Sequence, residues 1–141
     1  MNVVDALKNS PMLAALGDEQ LSGLANVARE RVFGPGDLMI EEGKGKAQAM
    51  FVILEGEAEV RSGGVPVATL GPGDHVGEMA LVLEDQTRTA DVVACEEVRV
   101  VQLSRWDFIP YLKTNPDVAL AVIAELAQRL EDATDKLAAE G

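Results

Sequence analysis

The segment Phe51-Val52-Ile53-Leu54-Glu55-Gly56-Glu57-Ala58-Glu59-Val60-Arg61-Ser62-Gly63-Gly64-Val65-Pro66-Val67-Ala68-Thr69-Leu70-Gly71-Pro72-Gly73-Asp74 decides the fold. An apolar run to Leu54 meets Glu55-Gly56, Gly63-Gly64 offers a second reversal, and a further extended run ends at Pro72-Gly73-Asp74. Proline fixes the entry to a turn and glycine admits positive φ, so this punctuation marks tight reversals between short strands. The tripeptide Pro-Gly-Asp also stands at Pro35-Gly36-Asp37. Outward from this segment, short β-rich runs broken by Gly, Pro and Asp extend from Arg31 to about Leu103. Strands are predicted at 31–33, 38–40, 49–54, 57–62, 65–70, 90–94 and 98–104. The pattern predicts a mainly β fold: an antiparallel β-roll, jelly-roll-like, with flanking helices.

Both flanks change period. Val4, Leu7, Met12, Leu13 and Leu16 cluster ahead of Asp18, which is expected to cap a second amphipathic stretch with Leu21, Leu24, Val27 and Ala28 on one face. After Trp106-Asp107-Phe108 the helical period returns, and Asn115-Pro116-Asp117 is a start signal for a long helix to Ala139. Trp106, Phe108 and Tyr111 are expected to anchor that helix to the roll. Its residues Ala119, Ile123, Leu126, Leu130, Ala133 and Leu137 follow a heptad seam. Two readings stay open: the stripe packs on the chain's own roll, or it meets a partner helix in a homodimer or effector protein. The expected organisation is one domain over 1–141, with a helical preface at 1–30, the roll at 31–104 and C-terminal helices at 105–139.

Composition excludes several function classes. The 141 residues are 48% hydrophobic and 26% charged, enough for one sizeable core. Twelve Lys and Arg against 24 Asp and Glu give a net charge of −12, which opposes binding to phosphate backbones or an anionic membrane surface. One Cys and one His cannot build a multi-cysteine or multi-histidine metal site, so no metal is expected. No apolar run approaches the roughly 20 residues of a membrane span, and Asp5 and Lys8 interrupt any signal-peptide core; a cytoplasmic protein is expected. No nucleophile and base pair stands out, so an enzyme is not expected.

The chemistry concentrates between Gly71 and Ala94. Gly77 followed by Glu78-Met79-Ala80-Leu81 reads as a glycine turn opening a short helical turn, whose backbone N–H groups can face an anion. Arg88 and Thr89 return eleven residues later with a planar guanidinium and a hydroxyl, the parts of a small-phosphate cradle. Arg88 pairing structurally with Glu78 or Asp91, and Thr89 serving as an ordinary strand residue, are the competing readings. His75 reads as a packing or hydrogen-bonding side chain. Cys95, beside Glu96 and Glu97, reads as an inert core or strand-end thiol.

Phe33-Gly34-Pro35-Gly36-Asp37, Glu42-Gly43, Phe51 to Ala58, Gly71-x-Gly73-Asp74, Gly77-Glu78-x-Ala80-Leu81 and Arg88-Thr89-Ala90, in this order, resemble the cyclic nucleotide-binding domain. That family is shared by bacterial catabolite activator proteins, protein kinase A regulatory subunits and cyclic-nucleotide-gated channels. The resemblance implies a cyclic nucleotide ligand, cAMP or cGMP. It implies a phosphate-binding cassette over 77–90, in which Gly77, Met79 and Ala80 border the ligand and Arg88 and Thr89 hold the cyclic phosphate. It further implies that Glu78 accepts from the ribose 2′-hydroxyl and that Thr134, on the last helix, reaches the base. Val76 stands where the family often has an aromatic residue, and Glu84 and Asp85 add negative charge within the cassette. Family members that bind DNA carry a helix-turn-helix after the long helix, and a chain ending at Gly141 is expected to make no direct DNA contact. The expected function is a stand-alone cyclic nucleotide sensor that moves its last helix. The alternative is a ligand-independent scaffold that binds a partner through that helix.

Overall fold

Strand β3 (Ala49–Glu55) buries six consecutive residues, Ala49 to Leu54, a pattern that requires cover on both faces. The computed structural model describes residues 1–41, 43, 48–83 and 90–140, and β3 lies between its two cores. Ala49, Phe51 and Ile53 pack with Phe33, Met39, Val98 and Val100 in the space between two sheets. Met50, Val52 and Leu54 point the other way, against Leu7, Leu13, Leu24 and Phe108 of the helical layer. Alternation of side chains along the strand thus joins the sheet sandwich to the helices.

The other strands are β1 (Arg29–Phe33), β2 (Leu38–Ile40), β4 (Ala58–Ser62), β5 (Val65–Leu70), β6 (His75–Val76), β7 (Asp91–Ala94) and β8 (Val98–Ser104). Among the described residues they form two four-stranded antiparallel sheets, in the orders β1-β8-β3-β6 and β2-β7-β4-β5. The helices are α1 (Val3–Lys8), α2 (Asp18–Val27), α3 (Arg105–Thr114) and α4 (Pro116–Glu140), with 3₁₀ turns at Pro11–Leu13 and Glu78–Leu81. This is the antiparallel roll with flanking helices and a long C-terminal helix that the sequence predicts.

The two Pro-Gly-Asp turns are built and docked alike. In the first, Asp37 accepts the Gly34 N–H at 2.7 Å through its carboxylate. The Gly36 N–H donates to the Ala94 carbonyl at 2.7 Å, and the Ala94 N–H donates to Asp37 O at 2.9 Å. In the second, Asp74 accepts the Gly71 N–H at 2.8 Å, Gly73 donates to Ile53 O at 2.8 Å, and Ile53 donates to Asp74 O at 2.9 Å. One turn is clipped to β7 of one sheet and the other to β3 of the other, each satisfying a strand's backbone groups. The second clip lays β6 along β3, pairing Val76 with Phe51 and His75 with Val52.

Several boundaries differ from expectation. The helical preface ends at Val27 and β1 already begins at Arg29, so Ala28 is no part of a helical face. Gly17, not Asp18, caps α2, donating its N–H to the Gln20 side chain at 3.0 Å; Asp18 is the first helical residue, where its charge favours the helix N-terminus. Strand β6 was not predicted. Trp106 is 58% exposed and anchors nothing, whereas Phe108 is fully buried and Tyr111 packs against the helical core. The heptad stripe does not pack on the roll as a unit. Helix α4 buries Val118 and Val122, while Ile123, Leu130 and Leu137 are 60–70% exposed. No helix among the described residues is long and apolar enough to cross a membrane.

Gly77 follows β6 at φ +82°, and a Cβ built there would lie 2.6 Å from the Ala49 carbonyl oxygen. Gly36 has the same φ with open space around it. Gly36→Ala is therefore expected to cost about 1–2 kcal/mol from the left-handed backbone alone. Gly77→Ala adds overpacking of roughly 1–3 kcal/mol. Urea denaturation of both variants checks this; equal losses would contradict the close approach to β3.

Candidate functional site

The Gly77 turn sets which side chains enter the protein. Glu78 and Ala80 are buried, at 7% and 1% exposure, while Gly77 and Met79 are exposed. The Ala80 N–H closes the turn on the Gly77 carbonyl at 3.0 Å. Among the described residues three polar side chains are buried, Ser10, Glu78 and Ser104, and two of them meet. The Ser10 hydroxyl donates to Glu78 Oε2 at 2.7 Å. The other oxygen, Oε1, accepts from Arg129 Nη1 of α4 at 2.9 Å. His75 Nδ1 stands 4.0 Å from Oε2.

Burial pushes the Glu78 carboxyl up. The Ser10 and Arg129 hydrogen bonds, with the charges of His75 and Arg129, outweigh it and hold the group below the ordinary glutamate value. Glu78 is therefore a buried, ionised acceptor. It suits a hydroxyl donor and does not suit proton delivery at neutral pH.

The structure brings Gly77, Glu78, Met79 and Ala80 together on one turn beside β3. Arg88 and Thr89, with Glu84 and Asp85, lie outside the described residues. Thr134 is exposed and donates its hydroxyl to the Leu130 carbonyl at 2.9 Å within its own helix. The α4 residue that reaches the turn is instead Arg129, five positions earlier. Ser10 and Arg129 are absent from the sequence-derived set: they lie 68 and 51 residues from Glu78, beyond any local pattern. The available hint was a serine standing between two apolar pairs that are buried, Ala6-Leu7 and Met12-Leu13. Cys95 is exposed rather than core; partial desolvation and the Glu59 and Glu57 carboxylates push its thiol up. Among the described residues no three His, Cys, Asp or Glu side chains converge to hold a metal ion.

The family described as Cyclic nucleotide-binding domain matches residues 30–115. The Pycsar effector protein XpPycTIR of Xanthomonas perforans is 33% identical over 129 residues, covering 86% of this chain and 42% of that protein. The Cyclic AMP receptor protein of Thermus thermophilus is 30% identical over 132 residues, covering 90% of this chain and 60% of that protein. The crystal structure of the N-terminal domain of a transcriptional regulator from Streptomyces coelicolor A3(2) matches with a TM-score of 0.84 and 31% identity, covering 92% of this chain and 95% of that one. The chain spans less than two thirds of the length of these two sequence relatives.

A lowered carboxylate pKa adds stability that is fully present above the unfolded value of 4.5 and is lost as pH falls through the folded value. Glu78→Gln is thus expected to be less stable than wild type by about 1–3 kcal/mol at neutral pH, with a gap that closes as pH drops well below 4.5. Urea denaturation at neutral pH and near pH 3.5 measures it. A gap independent of pH would show that Glu78 is not held as an anion.

Proposed function

The chain belongs to the cyclic nucleotide-binding domain family, and we propose that it senses a purine 3′,5′-cyclic monophosphate, cAMP or cGMP, and responds by repositioning α4. The observation that carries this reading is the buried carboxylate of Glu78 on the Gly77 turn, bonded to α4 through Arg129. A ligand that engages this turn is in direct communication with the helix. Population shift requires such differential contact: a ligand moves α4 only by binding one arrangement better than another. In this reading Gly77, Met79 and Ala80 border the nucleotide and Arg88 and Thr89 hold the phosphate. Glu78 accepts from the ribose, and Thr134 comes within reach of the base only after α4 has moved. The names of relatives support a regulatory role, the Thermus thermophilus protein being called a Cyclic AMP receptor protein. The role assigned to this chain is sensing rather than catalysis.

A second reading has its own support. Ile123, Leu130 and Leu137 recur at seven-residue intervals on α4 and are 60–70% exposed, which suits a partner helix. The partner would be a second copy or an effector protein. The two readings are compatible if nucleotide binding governs access to this stripe.

Thermal melting with millimolar cAMP, cGMP and 5′-AMP tests the ligand. A ligand that binds only the folded state stabilises it by about 2.7 kcal/mol at a hundred times its Kd. An upward shift is expected with at least one cyclic nucleotide and not with 5′-AMP. Arg88→Ala is expected to weaken binding at least about tenfold, a loss of roughly 1.4 kcal/mol. No shift with either cyclic nucleotide would leave the scaffold reading standing.

A further inference from the structure

Two consecutive residues of the N-terminal preface hold the segment around β6 from its two ends. Asn9 lies against the turn before the strand: a Cβ built on Gly73 would stand 2.9 Å from Asn9 Nδ2. Ser10 donates to Glu78, on the turn after the strand, at 2.7 Å. Ser10 stands at the N-cap of the Pro11–Leu13 turn, where a serine oxygen ordinarily accepts a backbone N–H, yet among the described residues it makes no such cap. Its own N–H donates to the Leu7 carbonyl at 3.1 Å and its carbonyl accepts the Leu13 N–H at 2.9 Å, so its backbone is committed in both directions. The side chain is fully buried between Ala6-Leu7 and Met12-Leu13. An unpaired hydroxyl in such a place costs free energy that an alanine would not, and the bond to Glu78 offsets that cost.

We propose that Ser10 is a positioning residue for the nucleotide site: its hydroxyl fixes the orientation of the Glu78 carboxylate, so that preference for a ribose over a 2′-deoxyribose depends on a side chain 68 residues away in the sequence. This rests on the reading of Glu78 as the ribose acceptor. The last torsion of a glutamate is broad and roughly two-fold, so packing of the methylene groups leaves the plane of the carboxylate open. A neutral donor with a fixed backbone and no water around it selects one plane, and Ser10 has those properties. The same bond helps to keep the carboxyl ionised, the form that accepts from a hydroxyl and offers no proton of its own. Ser10 touches no part of the nucleotide in this reading and acts through Glu78, as a supporting contact does when it holds a binding group in its productive geometry.

Isothermal titration with cAMP, 2′-deoxy-cAMP and the corresponding cGMP pair on wild type, Ser10→Ala and Ser10→Thr tests the assignment. In Ser10→Ala the preference for the ribonucleotide over its 2′-deoxy analogue is expected to fall at least about threefold, while affinity for the deoxy analogue stays within about twofold of wild type. Ser10→Thr keeps the hydroxyl but adds a methyl group to a fully buried site; it is expected to lose stability in urea and to keep the preference. An equal preference in wild type and Ser10→Ala, or a preference that falls with stability in both variants, would overturn the proposal, because the bond would then serve packing alone. A second arm needs no nucleotide: the Glu78 carboxyl carbon, followed by NMR, is expected to titrate at higher pH in Ser10→Ala than in wild type. An unchanged titration would show that the hydroxyl does not hold the carboxylate. If wild type itself does not favour the ribonucleotide, the ribose reading of Glu78 fails and this proposal with it. If wild type favours it and Ser10→Ala does so equally, the role of Ser10 fails alone.

Discussion

A carboxylate drawn out of water needs donors, because an unpaired buried charge costs several kcal/mol. Glu78 finds them at the two ends of the chain. Ser10 reaches it from the N-terminal helices and Arg129 from α4, so one side chain of the roll is bonded to both helical flanks, beside the apolar core that packs them on β3. Gly77 sets this up: its positive φ and close contact with the Ala49 carbonyl turn the next residue inward under the helical layer. The Pro72-Gly73-Asp74 clip on Ile53 in turn holds Gly77 against β3. A chain of backbone constraints thus runs from the central strand to the one buried anion among the described residues.

Features that depend on local chemistry were legible in the sequence. Pro-Gly-Asp turns, glycine reversals and alternating apolar runs located the strands to within a residue or two, since each signal acts over a few positions. Strand β6 escaped because two residues between glycine turns show no period. Trp106 and Phe108 are roughly 200° apart on a helix at about 100° per residue, so only one of them could face the core. The same arithmetic separates Val118 and Val122, which are buried, from Ile123 and Leu130, which are not; of the heptad seam, Leu126 packs on the core while Ile123, Leu130 and Leu137 lie on the outer face. Of the site, the Gly77 turn and Glu78 were legible from local pattern. Their partners Ser10 and Arg129 are products of the tertiary fold, and no spacing rule connects them.

The arrangement suggests how a small ligand could control a long lever. Helix α4, 25 residues or about 37 Å at 1.5 Å per residue, gains its core contacts near its start, and its apolar stripe points to solvent. Its only polar tie to the roll beyond that point, among the described residues, ends on the group assigned to the ribose. In the proposed reading the ligand acts on the part of the helix with the fewest core contacts, where Ile123, Leu130 and Leu137 are 60–70% exposed.

The proposed contact between Glu78 and a ribose hydroxyl is isolated by 2′-deoxy-cAMP, which lacks the hydroxyl and keeps the phosphate and base. The decisive measurement is the ratio of its affinity to that of cAMP, by isothermal titration, in wild type and in Glu78→Gln. Wild type is expected to favour cAMP by roughly tenfold or more, as for a hydrogen bond to a charged group of about 1.5–3 kcal/mol, and the variant is expected to lose most of that preference. An equal preference in both proteins would mean that Glu78 does not touch the ribose, and the central assignment would fall.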